Sequence, residues 1–285
     1  MKSDQKIFFS RLGRFTPVGH RGANGEIPGN TMESFQRLID IFPGAMIELD
    51  VWETRDGEIA VFHDDLLDHE TSGSGPVSLH DYRDLTGMDR AYKISHDGGR
   101  TFPFRGKGYR IPLLKDVLGR FPRSPVSIDI KCHKMDFARK VMALVNDLGA
   151  RDRVIIGSFS GRIISQVRRK YPGVATSCGR NEVILFYVLN RLFLWRLFRF
   201  LGDALMIPEF TDTERPEFLD GTGRQGLRII TPGFIKRAHH HNVPVFAWTI
   251  NSRENMRRLI SWGIDGIVTD YPALLKEVMT EEGML

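Results

Sequence analysis

Short apolar segments recur along this chain, each followed by a longer stretch with helical spacing, and this alternation restricts the possible folds more than any other feature. Parallel strands cannot be joined by a tight turn; each needs a crossover of a dozen or more residues, normally a helix. Candidate strands are 15–20, 45–51, 126–131, 154–159, 174–178, 204–209, 243–249 and 266–270. Helices are predicted over 31–41, 137–148, 161–170, 232–241, 254–262 and 272–279, with Asn30 as the cap of the first. The pattern predicts an α/β chain folded as a (β/α)8 TIM barrel, one domain over 14–280; barrels of roughly 200–250 residues form single units.

The alternation breaks once. Only Thr54, Arg55, Asp56 and Gly57 separate the end of the second strand from another apolar run, Ile59 to Phe62, and so short a turn cannot carry a crossover. The prediction is a β-hairpin over 52–62 standing on the C-terminal mouth of the barrel, with Asp56-Gly57 at its tip, which returns His63 to the level where the second strand ended. Residues 66–109, rich in Gly, Ser and Asp, then form an insertion over the same mouth, where long loops select substrates.

Forty basic against thirty-five acidic residues give a net charge of +5, which suits an anionic small molecule or an anionic membrane surface. Neither zinc-finger spacing, an aromatic RNA-binding strand nor a long basic run is present, so nucleic acid is not expected as a partner. Cys132 and Cys178 fit no disulfide framework and no metal spacing, and the opening MKSDQKIFFSRLGRF lacks the apolar core of a signal peptide. Cytoplasmic residence is the expectation.

Catalytic groups in such barrels project from the C-terminal ends of strands, and the polar residues fall there. Residues two apart on a strand share a face, so Glu48 with Asp50, and Asp129 with Lys131, look into one central space. Three carboxylates meeting there repel unless a cation lies between them, so Glu48, Asp50 and Asp129 form a candidate divalent-metal site. Oxygen ligands favour Mg2+ or Ca2+, and Mn2+ also fits. Arg21 and Lys131 supply fixed positive charge for a phosphate, and His20 and His63 can divide the roles of general base and general acid. Taken singly, each has a plainer reading as a packing histidine or a solvated charge, and Lys131 as a counter-charge to Asp129; it is their convergence that points to phosphoester cleavage. Phe159 and Trp248, near strand ends, are candidates to line the pocket, with barrel packing the alternative for Trp248. The run His239 to His241 ends a helix, where consecutive side chains point apart and cannot close on one ion.

HRGANGEIPGNTMESF, IELDVWETRDGEIAVFHDDLL, RIPLLKDVLGRFP, IDIK, FAWTINSRENM and GIDGIVTDYP resemble the successive blocks of the glycerophosphodiester phosphodiesterase family, from about Val18 to about Leu275. The resemblance implies that His20 and His63 are the acid–base pair, that Glu48, Asp50 and Asp129 hold a divalent cation, and that Arg21 and Lys131 contact phosphate. It also implies that a neighbouring glycerol hydroxyl acts as the internal nucleophile. Two departures stand out: many members carry Glu where this chain has Asp129, and Glu in place of Gly29, for which Glu26 is the nearest substitute. The expected reaction is metal-dependent hydrolysis of a glycerophosphodiester to a glycerol phosphate and an alcohol.

Asp129, the block from Arg110 to Leu114 and the apolar stretch from Val183 to Leu201 are similar to the lysophospholipase D-type branch, which makes a lysolipid or N-acyl lysolipid phosphodiester the alternative substrate. A catalytically silent barrel that binds phospholipid head groups is the rival from another class. Arg191, Arg196 and Arg199 make it costly for that stretch to span a bilayer. Read as one helix, it places the three arginines on one arc. That suits either peripheral membrane contact with anionic lipid or an outer barrel helix packed on the sheet.

Overall fold

The computed structural model describes residues 7–95, 97–211 and 226–285. The first six residues of the basic opening segment lie outside them. The strands are β1 Thr16–Gly19, β2 Met46–Glu53, β3 Ile59–Val61, β4 Val126–Ile130, β5 Val154–Gly157, β6 Ala175–Thr176, β7 Leu205–Pro208, β8 Val245–Trp248 and β9 Gly266–Thr269. The helices are α1 Ile7–Ser10, α2 Met32–Ile41, α3 Tyr82–Thr86, α4 Leu114–Arg120, α5 Met135–Asp147, α6 Gly161–Lys170, α7 Arg180–Arg191, α8 Pro232–His240, α9 Arg253–Ser261 and α10 Pro272–Glu281.

Eight strands are parallel neighbours in the order β6-β5-β4-β2-β1-β9-β8-β7. The two end strands meet through a parallel bridge between Ser177 and Ala204, with the Cys178 N–H donating to the Ala204 carbonyl at 2.7 Å. Carried from pair to pair around the ring, the register returns displaced by about eight residues, the stagger of a closed (β/α)8 barrel. β3 lies off the ring and pairs antiparallel with the end of β2, Val51 opposite Val61 and Glu53 opposite Ile59.

Alternation along each strand sorts the core into two shells. Ile47, Leu49, Val51, Ile128, Ile156 and Ile267 point outward into the layer beneath the helices. Val18, Met46, Ile155, Ala175, Phe246 and Val268 point inward and fill the barrel floor together with Phe8 of α1. A third, small cluster joins Ala60 and Phe62 to Leu67, Val77, Leu85 and Ile111, so the described part of 66–109 is anchored on β3.

Two sequence expectations need correction. Thr31, not Asn30, caps α2: its hydroxyl accepts from the Ser34 N–H, while the Asn30 amide reaches Asp50. The segment after β6 is not one helix to Leu201, because α7 ends at Arg191 and a 3-10 turn, Trp195–Leu197, follows. Arg191, Arg196 and Arg199 therefore share no helical arc. No described helix is long and apolar enough to cross a membrane.

Candidate active site

The inward face that is apolar on the floor becomes charged one or two steps further along the same strands. Val18 is followed by His20, Met46 by Glu48 and Asp50, Ser127 by Asp129 and Lys131, and Val268 by Asp270. The loop after β1 closes over this layer. Its backbone enters the left-handed region at Arg21 (φ 51°) and Gly22 (φ 92°), where an added Cβ on Gly22 would stand 2.5 Å from the Ser34 hydroxyl. That hydroxyl in turn accepts from the Ala23 N–H and donates to the Arg21 carbonyl, tying the loop to α2. The result aims the Arg21 N–H at Glu48 Oε2 (2.9 Å) and the Asn30 amide at Asp50 Oδ2 (3.0 Å).

Lys131 Nζ stands 3.0 Å from Asp50 Oδ1 and 2.8 Å from Asp129 Oδ2, and Arg21 Nε is 3.4 Å from Asp50 Oδ2. Burial works against the Asp50 charge, yet Lys131 and Arg21 outweigh it and hold this carboxyl below its ordinary range. Lys131 is held above its ordinary value, since Asp50 and Asp129 more than offset its burial. Glu48 makes no ion pair with a described residue, and burial first and Asp50 second push it up to about 7 against the weaker pull of His20 and Arg21. Burial also raises Asp129, against the pull of Lys131. Among the described residues no three His, Cys, Asp or Glu side chains close on a point that would hold a metal ion; between Asp50 and Asp129 it is the Lys131 ammonium that bridges. The donor set still suits a hard divalent cation in kind, and the raised Glu48 marks a buried acid short of positive charge.

Each strand-end histidine rests on a carboxylate. His20 Nδ1 is 2.7 Å from Asp270 Oδ1, and Asp270 is itself fixed by the amides of Asn24 (3.0 Å) and Asn251 (2.6 Å). Burial disfavours the Asp270 charge, but His20 and these amides hold its pKa below the usual carboxylate value. His63 Nδ1 is 2.5 Å from Asp64 Oδ1, and His69 takes the other oxygen at 2.8 Å. Hydrogen bonding to His63 is the main cause that depresses Asp64. The Trp52 indole donates to the His63 carbonyl at 2.8 Å. His20 acts electrostatically on Glu48, and His63 on Asp50 and Asp129, so both imidazoles lie near the carboxylate cluster. With Nδ1 engaged, Nε2 of each ring is the atom left to exchange a proton.

Sequence reasoning passed over Asp270, Asp64 and Arg90, and read Asn30 only as a helix cap. Asp270 was within reach of the same-face rule, two residues beyond Val268. Arg90 carried no signal: its guanidinium is buried, donates to the Gly29 carbonyl (2.9 Å), pairs with Glu70 (2.7 Å) and covers the Phe62 ring (4.8 Å). It thereby joins the insertion to both histidine segments.

The remaining candidates divide. Phe159 is 65% exposed, with its ring 5.5 Å from Lys131 Nζ, whereas Trp248 is half-buried against the barrel-floor cluster. Glu209, which also lies at a strand end, has outward parity and binds Arg258 with both oxygens, at 2.7 and 2.8 Å. Glu26 is not a substitute for a glutamate at 29: it pairs with Arg37 and accepts from the Ala273 N–H. A Cβ at Gly29 would meet Asn24 Oδ1 at 2.2 Å, so a side chain there collides with the amide that fixes Asp270.

Residues 20–274 match the sequence profile of the glycerophosphoryl diester phosphodiesterase family, and the matched region begins on His20 itself. The chain belongs to this family. It is a phosphoric diester hydrolase. It is 28% identical over 275 residues to the glycerophosphodiester phosphodiesterase of Caldanaerobacter subterraneus, covering 93% of this chain and 98% of that one. It is 26% identical over 286 residues to a lysophospholipase D of Rattus norvegicus, covering 92% and 85%. The fold is shared with the glycerophosphoryl diester phosphodiesterase domain of Mycobacterium tuberculosis Rv2277c (TM-score 0.77, 17% identity, 94% and 99% covered). An Oleispira antarctica phosphodiesterase solved with its product sn-glycerol-3-phosphate also shares it (TM-score 0.71, 19% identity, 95% and 98% covered).

Proposed function

We propose that this phosphodiesterase hydrolyses glycerophosphodiesters to a glycerol phosphate and a free alcohol, with His20 and His63 as the acid–base pair and with a divalent cation, Mg2+ or Ca2+, required. The observation that carries this reading is the pair of imidazoles, each anchored through Nδ1 on its own carboxylate and each acting on a buried cluster of acids and Lys131. One imidazole takes the proton from a glycerol hydroxyl as that oxygen attacks the neighbouring phosphorus; the other gives a proton to the departing alcohol oxygen. Water then opens the cyclic phosphate with the two roles exchanged, which returns both rings to their starting states. A nucleophile already beside phosphorus can lower the barrier by roughly 7–11 kcal/mol.

Arg21 and Lys131 are assigned to the phosphate oxygens, Arg21 reaching in from the loop and Lys131 from the rim of β4. Glu48, Asp50 and Asp129 are assigned to the cation, which supplies positive charge against the charge that develops on the phosphoryl group. The catalytic unit covers 14–280, with 66–109 as a selecting surface over the mouth; the grip of Arg90 on Gly29 and Phe62 supports that role.

A lysolipid or N-acyl lysolipid substrate is the second reading, favoured by the exposed Phe159 ring beside Lys131 and by relatives named lysophospholipase D. Glycerophosphocholine and lysophosphatidylcholine are assayed side by side, with and without chelator, and the products identified. Release of choline and glycerol phosphate from the first, abolished by chelator and by His20→Ala, is the expected result. Turnover of lysophosphatidylcholine alone transfers the assignment to the lysolipid reading. If neither is cleaved while the wild type and His20→Ala bind glycerol phosphate equally, the chain is a binding barrel.

A further inference from the structure

Five helices of this barrel end in the same way. After α5, α7, α8, α9 and α10 the N–H two residues beyond the cap returns to the third-last helical carbonyl: Ala150 to Val145, Leu194 to Leu189, Val243 to Ala238, Ile264 to Leu259 and Met284 to Met279. This closure puts the intervening residue in the left-handed region, which suits Gly and, less well, Asn. Four of the positions obey: Gly149 (φ 60°), Asn242 (φ 55°), Gly263 (φ 79°) and Gly283 (φ 67°). The fifth is Phe193, at φ 60°.

The fold gains little from that phenylalanine. Its side chain is 76% exposed, and its described ring contact is an Arg237 guanidinium 5.8 Å away. Backbone strain spent on presenting an aromatic ring to solvent points to something outside the chain. The surroundings agree. Half of the exposed large apolar side chains among the described residues lie between 184 and 201, including Ile184, Val188, Leu192, Leu197 (78%) and Leu201. Outer barrel helices normally turn charge to solvent, as α9 does where Arg253 and Arg257 pair with Glu277 and Glu281 of α10. On α7 the outward stripe is aliphatic.

The charge within this patch has one sign. Arg191, Arg196 and Arg199 are exposed and make no ion pair with a described residue, and residues 183–202 contain neither Asp nor Glu. Glu182, just before them, is occupied by Arg168 and by the N–H groups of Gly179, Leu201 and Gly202. A second copy of the chain is a poor occupant, because a two-fold contact would set these arginines against themselves. A surface that is apolar in depth and negative at its face satisfies both halves of the patch.

We propose that the outer face of α7 and the turn to Leu201 dock on an anionic lipid bilayer, with Phe193 and Leu197 entering the interface and Arg191, Arg196 and Arg199 meeting the head groups. The proposal rests on this surface alone, whatever reaction the barrel performs. Its test is sedimentation of the full chain with vesicles of phosphatidylcholine carrying roughly a third phosphatidylglycerol, against phosphatidylcholine alone. At low salt the chain should pellet with the anionic vesicles and be released as salt screens the arginines. Phe193→Gly should weaken binding about tenfold or more, yet keep or raise Tm, because Gly suits that backbone. It should also leave hydrolysis of soluble glycerophosphocholine unchanged. Arg196→Ala combined with Arg199→Ala should weaken binding by roughly fivefold per arginine. His20→Ala should pellet like the wild type, which separates this outcome from failure of the assigned reaction. The proposal is overturned by equal pelleting on neutral vesicles, by full binding of Phe193→Gly, by a fall of several degrees in its Tm, or by a dimer that the same substitution dissolves.

Discussion

The floor and the rim of the barrel are built from the same strands and the same inward face, a step or two apart. On the floor Val18, Met46, Phe246 and Val268 interlock around Phe8, and their neighbours are chosen by volume. On the rim His20 pairs with Asp270 at 2.7 Å, Lys131 with Asp129 and Asp50 at 2.8 and 3.0 Å, and the Arg21 N–H with Glu48 at 2.9 Å, and these neighbours are chosen by charge and proton position. The difference teaches that apolar packing and charge occupy separate layers, with most of the stability in the first and, under the proposed function, the chemistry in the second. Damage to one should spare the other.

The sharpest way to break that separation is a pair of substitutions. His20→Ala should lower kcat by about 10²–10⁴-fold while thermal unfolding stays close to that of the wild type, because the part-exposed ring takes no part in the floor cluster. Phe246→Ala should do the reverse, costing about 3–5 kcal/mol of stability with a much smaller change in kcat for the molecules that remain folded. A collapse of both properties in either variant, seen by calorimetry and initial rates together, would show one layer where two are claimed.

A smaller effect sharpens the rim itself. Asp270→Asn keeps size and shape but offers an amide to His20 Nδ1, so the ring loses both its counter-charge and its fixed tautomer; a kcat loss on the order of 10²-fold is expected. Measuring kcat and KM separately checks this, since a substrate-binding role for Asp270 would appear in KM instead.

The smallest effect concerns pH. Glu48 titrates near 4.5 in the unfolded chain and is pushed up to about 7 in the fold. Its carboxyl therefore supports the folded state fully below about 4.5, and that support is lost as pH rises through about 7. In chelator, wild-type stability should fall by about 2–3 kcal/mol across this window relative to Glu48→Gln, which has no carboxyl to ionise. The depressed Asp50 acts in the opposite sense, but its contribution is lost only at pH values below its ordinary 3.8, outside this window. Mg2+ or Ca2+ added at pH 8 should restore the wild type and leave Glu48→Gln less affected. Parallel pH profiles of the two proteins would count against the assigned role of Glu48 in holding the cation.

Much of the barrel was legible in the sequence, because strand and helix periodicity are local properties. The second strand alone, reading MIELDVWE, announces an outward apolar set and an inward pair of acids. The extent of α7 was less legible: a run of nineteen mostly apolar residues fits one long helix by composition, and only the turn at Phe193 ends it. Partners were the least legible. Asp270 lies 250 positions from His20, and Arg90 lies 61 from Gly29, so no spacing rule joins them.

What the sequence determined by itself is which face of each segment is apolar and which residue types stand at strand ends, since alternation depends on neighbours two to four residues away. Which of those groups meet was decided by the tertiary structure alone. Barrel closure fixes the relative height of all eight strands at once. That common register brings Asp270 beside His20, sets Lys131 between two acids and leaves Glu48 with no ion-pair partner among the described residues.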